Sequence, residues 1–299
     1  MIENITNPMK KIKLILLVAV LIALHSCQKD EDNPVDNSGT PNDREVIQEV
    51  YGRANVKGFV VDKSGSPLEG VLVYFGTHET FTDGEGKFEL TEVSEGANKR
   101  IWFEKEGYVL NQKLVDVRED LPNRVDAALF PIAKTAKIGD GGGKIEGDNF
   151  SVDIEPGGFV YSDGTSVDGE VTVSATPLLT TDDNFISAFP GDFRGIREDG
   201  STTAIESYGF IDVDLRDKDG ARVQMAEGVM ATIKINAPAN APQIIPMWWY
   251  DTKKGEWIEE GSGSLVNGNY VAEVSHFTTW NWDIPVDLRS KLIGRVVDN

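Results

Sequence analysis

Short runs in which apolar and polar residues alternate restrict the fold of this chain more than any other feature of its sequence. Val171, Val173 and Ala175 alternate with Thr172 and Ser174. Successive side chains of a β-strand point to opposite faces, so this spacing predicts strands with one packed face and one solvated face. Comparable runs lie at residues 56–61, 71–75, 211–215 and 229–235. Many short strands separated by turns are typical of β-sandwiches, so the sequence predicts an all-β fold.

Turns rich in aspartate and glycine separate these runs. Examples are Asp83-Gly84, Asp163-Gly164, Asp199-Gly200 and residues 217–220. An aspartate carboxylate accepts hydrogen bonds from nearby backbone N–H groups, and glycine tolerates positive φ, so both residue types favour tight turns. The acidic run at residues 212–219 also offers carboxylates of the kind that bind calcium. The oxygen spacing of an EF-hand loop is not met there, so we interpret the run as turn chemistry.

Composition excludes several classes of function. A chain of 299 residues corresponds to about two domains, at roughly 100–200 residues each. The formal charge of −20 argues against nucleic acid as a partner, because such binding needs clustered basic side chains. The single cysteine excludes an internal disulfide and a cysteine-based zinc site, and three histidines leave little for a histidine metal centre. We therefore expect no cofactor and no metal.

The first residues are typical of an export signal. Three lysines precede an apolar run at residues 14–24, which ends close to the only cysteine, Cys27. A basic patch followed by a short apolar core is the pattern of a secretory signal peptide. The run is shorter than the roughly 20 residues needed to span a bilayer. The stretch resembles a bacterial lipoprotein signal with its lipobox, which implies cleavage before Cys27 and attachment of a lipid to that residue.

The next segment, residues 27–48, is acidic, and Gly, Pro, Asn, Asp and Ser dominate its residues 33–43. Such a composition cannot bury enough apolar surface to fold, so it predicts a flexible tether. The segment resembles the acidic tether of Bacteroidota surface lipoproteins. This resemblance implies a protein anchored to the outer membrane through the lipid on Cys27 and exposed at the cell surface. More than one acyl chain would make that anchoring stable.

The first predicted sandwich carries four sequence blocks of one known family. The blocks lie at residues 58–62, 65–71, 82–88 and 105–108. In order and spacing they resemble the carboxypeptidase regulatory-like domain, a transthyretin-like β-sandwich. The resemblance implies a non-catalytic spacer or docking module. A zinc carboxypeptidase needs a His-x-x-Glu pair, and His78 is followed by Glu-Thr-Phe, so we infer no peptidase activity.

The second predicted sandwich resembles extracellular domains. Residues 142–145 and 150–159 resemble the opening of a sandwich domain found in ankyrins and netrin receptors. Residues 188–195 and 246–250 resemble a related domain of cartilage intermediate layer protein and bacterial surface proteins. These resemblances imply binding or scaffolding, with an unknown protein or glycan as the ligand.

Near the end of this sandwich, His276-Phe277-Thr278 resembles the His-Phe-Ser/Thr site of self-cleaving sandwich domains. By residue match, Thr278 would be the nucleophile, His276 the base, and the Phe277–Thr278 peptide the bond that is cut. A nucleophile beside a general base is a chemically suitable pair. The alternative is that His276 and Phe277 only pack at the end of a strand, as in relatives that do not cleave.

Three tryptophans, Trp248, Trp249 and Trp257, suggest a second possible site. Exposed tryptophans could stack on sugar rings, which would suit a glycan-binding protein of a polysaccharide-uptake system. Adjacent residues of a strand face opposite sides, so one of Trp248 and Trp249 could be exposed. The alternative is that all of them are buried, where large aromatic side chains contribute core area.

Residues 292–299 repeat the pattern of residues 56–63. This repeat predicts the first strand of a further domain, and therefore an array of domains on a stalk.

The predicted organisation is a signal peptide at 1–26, a tether at 27–48, a carboxypeptidase regulatory-like sandwich at 49–130, a second sandwich at 131–285, and a linker with the further strand at 286–299. We expect a lipid-anchored surface protein that acts as a non-catalytic binding, adhesion or structural module, and not an enzyme.

Overall fold

The structure is a computed structural model that describes residues 52–286, and these residues lie almost entirely in β-strands and turns. The all-β prediction is therefore confirmed. The predicted signal peptide, Cys27, the tether and the repeat at 292–299 lie outside the described residues. Within the described part of the chain, no helix has the length and apolar character needed to cross a membrane.

Eight strands form the first sandwich. They are β1 (Arg53–Asp62), β2 (Leu72–Phe75), β3 (His78–Phe81), β4 (Lys87–Ser94), β5 (Gly96–Glu104), β6 (Asn111–Val117), β7 (Asn123–Arg124) and β8 (Ala127–Leu129). One sheet has the order β4-β1-β7, with β8 also paired to β1, and the other has the order β3-β2-β5-β6. Both sheets contribute to one apolar core, which includes Val60 of β1, Leu90 of β4, Val73 of β2 and Phe103 of β5.

Thirteen strands and one short helix follow. They are β9 (Lys134–Ile138), β10 (Gly143–Gly147), β11 (Phe150–Ile154), β12 (Phe159–Val160), β13 (Val171–Leu178), α1 (Phe185–Ala188), β14 (Arg194–Ile196), β15 (Thr202–Arg216), β16 (Gln224–Met225), β17 (Ala231–Asn236), β18 (Ile244–Asp251), β19 (Glu256–Val266), β20 (Asn269–Val274) and β21 (Thr279–Val286).

The second sandwich is built mainly from one long, curled sheet. Its strand order is β10-β11-β17-β20-β19-β18-β21-β15-β13-β9, and β14 pairs with β15 and β19. Strands from both ends of this order supply side chains to the same core, including Ile145 of β10 and Ile138 of β9. The sheet therefore closes around its own apolar face. Both sandwiches belong to one compact unit.

The predicted turns are formed by their aspartates. Asp83 Oδ1 accepts hydrogen bonds of 2.9 Å from the backbone N–H groups of Glu85 and Lys87. Asp217 Oδ1 accepts equivalent bonds, of 2.9 and 2.8 Å, from the N–H groups two and four positions further on. Gly220 closes that turn with a φ of 86°. The acidic run at 212–219 thus uses this carboxylate to hold a turn, as its spacing predicted.

Candidate functional site

The three tryptophans predicted to bind a ligand are all buried. Trp248 and Trp257 have no exposed surface, and Trp249 is 5% exposed. Trp248 Nε1 donates to the carbonyl of Asp283 at 3.1 Å, and Trp257 Nε1 donates to that of Pro190 at 3.2 Å. The prediction that one of the adjacent pair could be exposed is wrong. Stacking on a sugar requires an accessible ring face, so these residues do not form a glycan platform.

Both faces of β18 are covered, which explains this outcome. Trp249 and Met247 point into the main core of the second sandwich. Trp248 and Tyr250 point the other way, as the alternation of a strand requires. There they enter a separate apolar cluster that also contains α1 and the end of the first sandwich. The face predicted to be solvated is therefore buried under another layer of the protein.

The residues of the predicted cleavage site lie together, but without a bond between base and nucleophile. Thr278 is buried, and its Oγ1 donates to the carbonyl of Tyr250 at 2.9 Å. The His276 ring packs against Trp249 and Trp280. Its Nδ1 is buried and has no hydrogen-bond partner among the described residues. The hydroxyl of Thr278 is thus held by a backbone carbonyl.

The Phe277 peptide is clamped by a glutamine. Gln224 Nε2 donates to the Phe277 carbonyl at 2.6 Å, and Gln224 Oε1 accepts from the Phe277 N–H at 2.9 Å. Because the same carbonyl belongs to the predicted scissile bond, an amide donor lies where negative charge would develop during an attack on it. Nothing in the local sequence indicated this partner, which is 53 residues away.

A set of polar contacts joins the two sandwiches. Tyr250 Oη donates to Gln112 Oε1 at 2.6 Å, and Gln112 Nε2 donates to the carbonyl of Thr252 at 2.9 Å. The Gly191 N–H donates to the Gln112 carbonyl at 2.7 Å. Gln112 and Tyr250 are both buried. Hydrogen bonds in such a setting are costly to break, because the separated groups would be left without partners.

Lys113 places an amine in the contact region between the two sandwiches, here called the joint. Its Nζ donates to the carbonyl of Ile186 at 3.2 Å and to that of Phe189. Burial lowers the pKa of Lys113 to about 7. Asn111, two positions earlier on the same face of β6, donates to the carbonyl of Ser187 at 3.3 Å. These two side chains of the first sandwich therefore bind the segment around α1.

An apolar cluster, here called the joint cluster, completes this contact. The first sandwich supplies Ala128 and Phe130, with Val61 packed at the edge. The remaining members come from the second sandwich and are Leu178, Phe185, Ala188, Phe189, Ile205, Phe210, Trp248, Tyr250 and Trp257. Rotation of one sandwich against the other would expose this apolar surface to water, so the cluster resists such motion.

Beside the joint lies a cavity of about 380 Å³. One wall is the end of β5, with Trp102 and Glu104, together with the loop at residues 105–110 of the first sandwich. The opposite wall consists of Thr172 and Ser174 of β13 and Asp212 and Asp214 of β15. These residues alternate with side chains of the main core, so they lie on the outer face of the sheet.

Of the two aspartates on this outer face, Asp214 forms ion pairs and Asp212 forms none within the described residues. Asp214 forms ion pairs with Arg216 at 2.6 Å and Arg222 at 3.2 Å. Asp212 accepts a hydrogen bond of 2.8 Å from Thr279 Oγ1. Burial, together with the charge of Asp214, raises the pKa of Asp212 to about 6. The alternation in the sequence placed Asp212 and Asp214 on a solvated face, but no local pattern indicated that a loop of the first sandwich lies opposite.

Similarity to solved structures is low. A protein of unknown function from Bacteroides fragilis NCTC 9343, described as membrane-associated, is 8% identical, with 79% of this chain and 99% of that chain covered and a TM-score of 0.23. BcpA, the major pilin subunit of Bacillus cereus, is 11% identical, with 83% of this chain and 96% of that chain covered and a TM-score of 0.20. No curated protein matches the sequence.

The first sandwich matches a known protein family. The match covers residues 55–130, which contain nearly all of β1 and every strand from β2 to β8. It agrees with the resemblance carried by the four sequence blocks. The resemblance of the second sandwich to ankyrin-type domains remains a prediction. The family that matches residues 55–130 is the carboxypeptidase regulatory-like domain.

Proposed function

We propose that this chain is a cell-surface lipoprotein, attached to the outer membrane through Cys27, whose two sandwiches form one stiff, non-catalytic module for binding, adhesion or structure. The main observation behind the stiffness of this module is the joint between the sandwiches. Lys113 and Gln112 form buried hydrogen bonds across it, and the joint cluster buries apolar surface from both sides. Domains connected only by a linker move relative to each other, whereas a large apolar contact holds them together.

The family match supports the same function. A carboxypeptidase regulatory-like domain at residues 55–130 favours a spacer or docking role over catalysis. A module that displays a binding surface away from a membrane benefits from stiffness, because an ordered scaffold loses less conformational entropy when a partner binds.

Fractionation of the bacterium tests the anchor. We expect to find the protein in the outer-membrane fraction. We also expect proteinase K to degrade it when intact cells are treated. Cys27→Ala removes the thiol that would carry the lipid, so the variant should leave the membrane fraction. Ser38→Ala in the same tether is the matched control and should stay with the membrane. A Cys27→Ala protein that remains membrane-bound would refute lipid anchoring through this residue.

Self-cleavage at Phe277–Thr278 is the second candidate, and one contact favours it. The Gln224 amide donates to the Phe277 carbonyl at 2.6 Å, where it could stabilise a developing negative charge. Two features oppose it. The Thr278 hydroxyl donates to the Tyr250 carbonyl, and no hydrogen bond connects it to His276 within the described residues. The geometry therefore favours the intact chain.

The denatured mass of the purified protein decides between these two candidates. We expect a single species that is not cut at Thr278. The wild type, Thr278→Ala and Thr278→Ser should all give this result. The serine variant is the matched control because it keeps a hydroxyl nucleophile. Two fragments meeting at residue 278 in the wild type and the serine variant, but not in the alanine variant, would establish self-cleavage.

A further inference from the structure

We infer that the cavity between the two sandwiches binds a ligand that presents an ammonium or guanidinium group. The cavity has a volume of about 380 Å³ and lies between the end of β5 with the loop at 105–110 and the outer face of β13 and β15. Ligand pockets are commonly found between domains and have volumes of roughly 300–1,000 Å³. The site lies in the folded part of the chain, so the inference does not depend on the lipid anchor.

Two partly buried carboxylates in the cavity wall have no ion-pair partner among the described residues. Glu104 Oε2 is buried and has no hydrogen-bond partner among the described residues. Asp212 accepts one hydrogen bond from Thr279 and, within residues 52–286, forms no ion pair, although the charges of Arg216 and Arg222 also act on it. A buried acceptor without a donor is energetically costly, so a bound cation would remove that cost for Glu104 and would give Asp212 a charged partner.

The cations that the protein supplies nearby are engaged elsewhere. Arg216 and Arg222 both form ion pairs with Asp214. Lys105 Nζ donates to the carbonyl of Glu69 at 2.9 Å. The cavity wall also includes Glu106. Four carboxylates and three basic side chains therefore line the cavity, and within the described residues only Asp214 of the four forms an ion pair. Glu106 is exposed to solvent, so Glu104 and Asp212 are the unpaired carboxylates that are partly buried.

The polar groups around these carboxylates are held in place by the protein itself. Gln224 binds both polar groups of the Phe277 backbone, and Gln112 binds Tyr250 and the Thr252 carbonyl. A wall fixed in this way loses little conformational entropy when a ligand binds.

Other lining residues suit a cation as well. The rings of Trp102 and Tyr108 lie in the wall, and aromatic rings attract cations through their π-electrons. Ser174 adds a hydroxyl that can accept a hydrogen bond. The whole chain has a formal charge of −20, and a field of that sign attracts cationic ligands from a distance.

A metal ion fits less well than an organic cation. The described residues contain no group of three His, Cys, Asp or Glu side chains arranged to hold one. The cavity is large enough for a lysine or arginine side chain or a short polyamine, and both sources share the same charged, donor-rich chemistry. The experiment must therefore separate a free amine from the side chain of a peptide.

Calorimetric titration of the full chain, purified in detergent, tests the inference with two cationic probes. Agmatine represents a free small cation, and acetyl-Gly-Arg-Gly-amide represents a basic side chain. The peptide with citrulline in place of arginine is nearly isosteric but uncharged. We expect at least one cationic probe to bind, and the citrulline peptide to bind at least about tenfold more weakly, because its hydrogen bonds to the carboxylates are not charge-assisted.

Two near-isosteric variants locate the site. Asp212→Asn and Glu104→Gln each remove one charge, and each should weaken binding of the cationic probe about tenfold. Glu273→Gln, on the exposed face of β20 and outside the cavity wall, should leave it unchanged. If Asp212→Asn fails to fold, Glu104→Gln decides alone. Binding to agmatine alone or to the peptide alone supports the inference and identifies the source of the cation. The inference would be overturned if neither agmatine nor the arginine peptide bound, or if the citrulline peptide bound as tightly as the arginine peptide. It would also be overturned if Glu273→Gln weakened binding as much as the two cavity variants.

Discussion

At the scale of single residues, Lys113 places an amine in the joint between the sandwiches, where its acceptors are the carbonyls of Ile186 and Phe189. Carbonyl oxygens carry only partial charge, so they replace water incompletely as partners for an ammonium group. Removal from water therefore lowers the pKa of Lys113 from 10.5 to about 7. Above this pH the folded protein holds the amine in its neutral form, while the unfolded chain still keeps the proton.

This difference makes stability depend on pH. Between about pH 7 and the pKa of the unfolded lysine, the unfolded state binds more protons, so the free energy of unfolding rises with pH by up to about 1.4 kcal/mol per unit. We expect Lys113→Met to lose this rise. Urea titrations between pH 7 and 9.5 measure it. Lys137→Met, on an exposed part of β9, should retain the wild-type slope, and an unchanged slope in Lys113→Met would contradict the assignment.

At the scale of secondary-structure elements, β1 depends on a glycine in its middle. A Cβ at Gly58 would lie 1.7 Å from the carbonyl oxygen of Val125. The strand pairs with β4 on one side and with both β7 and β8 on the other. Val125 lies between β7 and β8, so its backbone cannot move away without disturbing those pairings. The close approach of two backbones, and not a turn, requires glycine here.

Gly58→Ala should therefore lower the free energy of unfolding by about 3 kcal/mol or more, since overpacking against backbone cannot relax through a rotamer change. Gly141→Ala is a suitable control, because an added Cβ there meets nothing within 4 Å and its φ is not positive. Chemical denaturation of both variants measures the difference. A Gly58→Ala protein as stable as Gly141→Ala would show that β1 and the Val125 segment separate more easily than their contacts indicate.

At the scale of the whole molecule, the joint should make the two sandwiches unfold together. The joint cluster contains side chains from both, including Trp248 and Trp257 of the second sandwich and Phe130 of the first. Unfolding of either sandwich would expose this surface and leave Lys113 and Gln112 without partners. The cost of breaking the joint couples the two equilibria, so partly unfolded molecules are disfavoured.

We expect one cooperative transition in guanidinium chloride. Tryptophan fluorescence mainly follows the second sandwich, which contains five of the six tryptophans, whereas circular dichroism follows the strands of both. Coincident curves from the two methods are the expected result, and calorimetry should give equal calorimetric and van't Hoff enthalpies. Two separated transitions would show that the joint is weak and that the sandwiches are independent.

The sequence by itself determined the features that depend on neighbours along the chain. Alternation predicted the strands and correctly placed Trp248 and Trp249 on opposite faces of β18. Aspartate and glycine spacing predicted the turns, and four blocks of residues identified the family of the first sandwich. These properties arise from backbone geometry and local hydrogen bonds, which a few consecutive residues are sufficient to specify.

Only the tertiary structure decided which strand faces meet water. The second face of β18 is covered by α1 and the end of the first sandwich, so the tryptophans expected to bind a ligand are structural. Glu104 and Asp212 line one cavity although 107 intervening residues separate them in the sequence. Burial and charge pairing depend on contacts between such distant segments, and these contacts leave no period or motif in the local sequence.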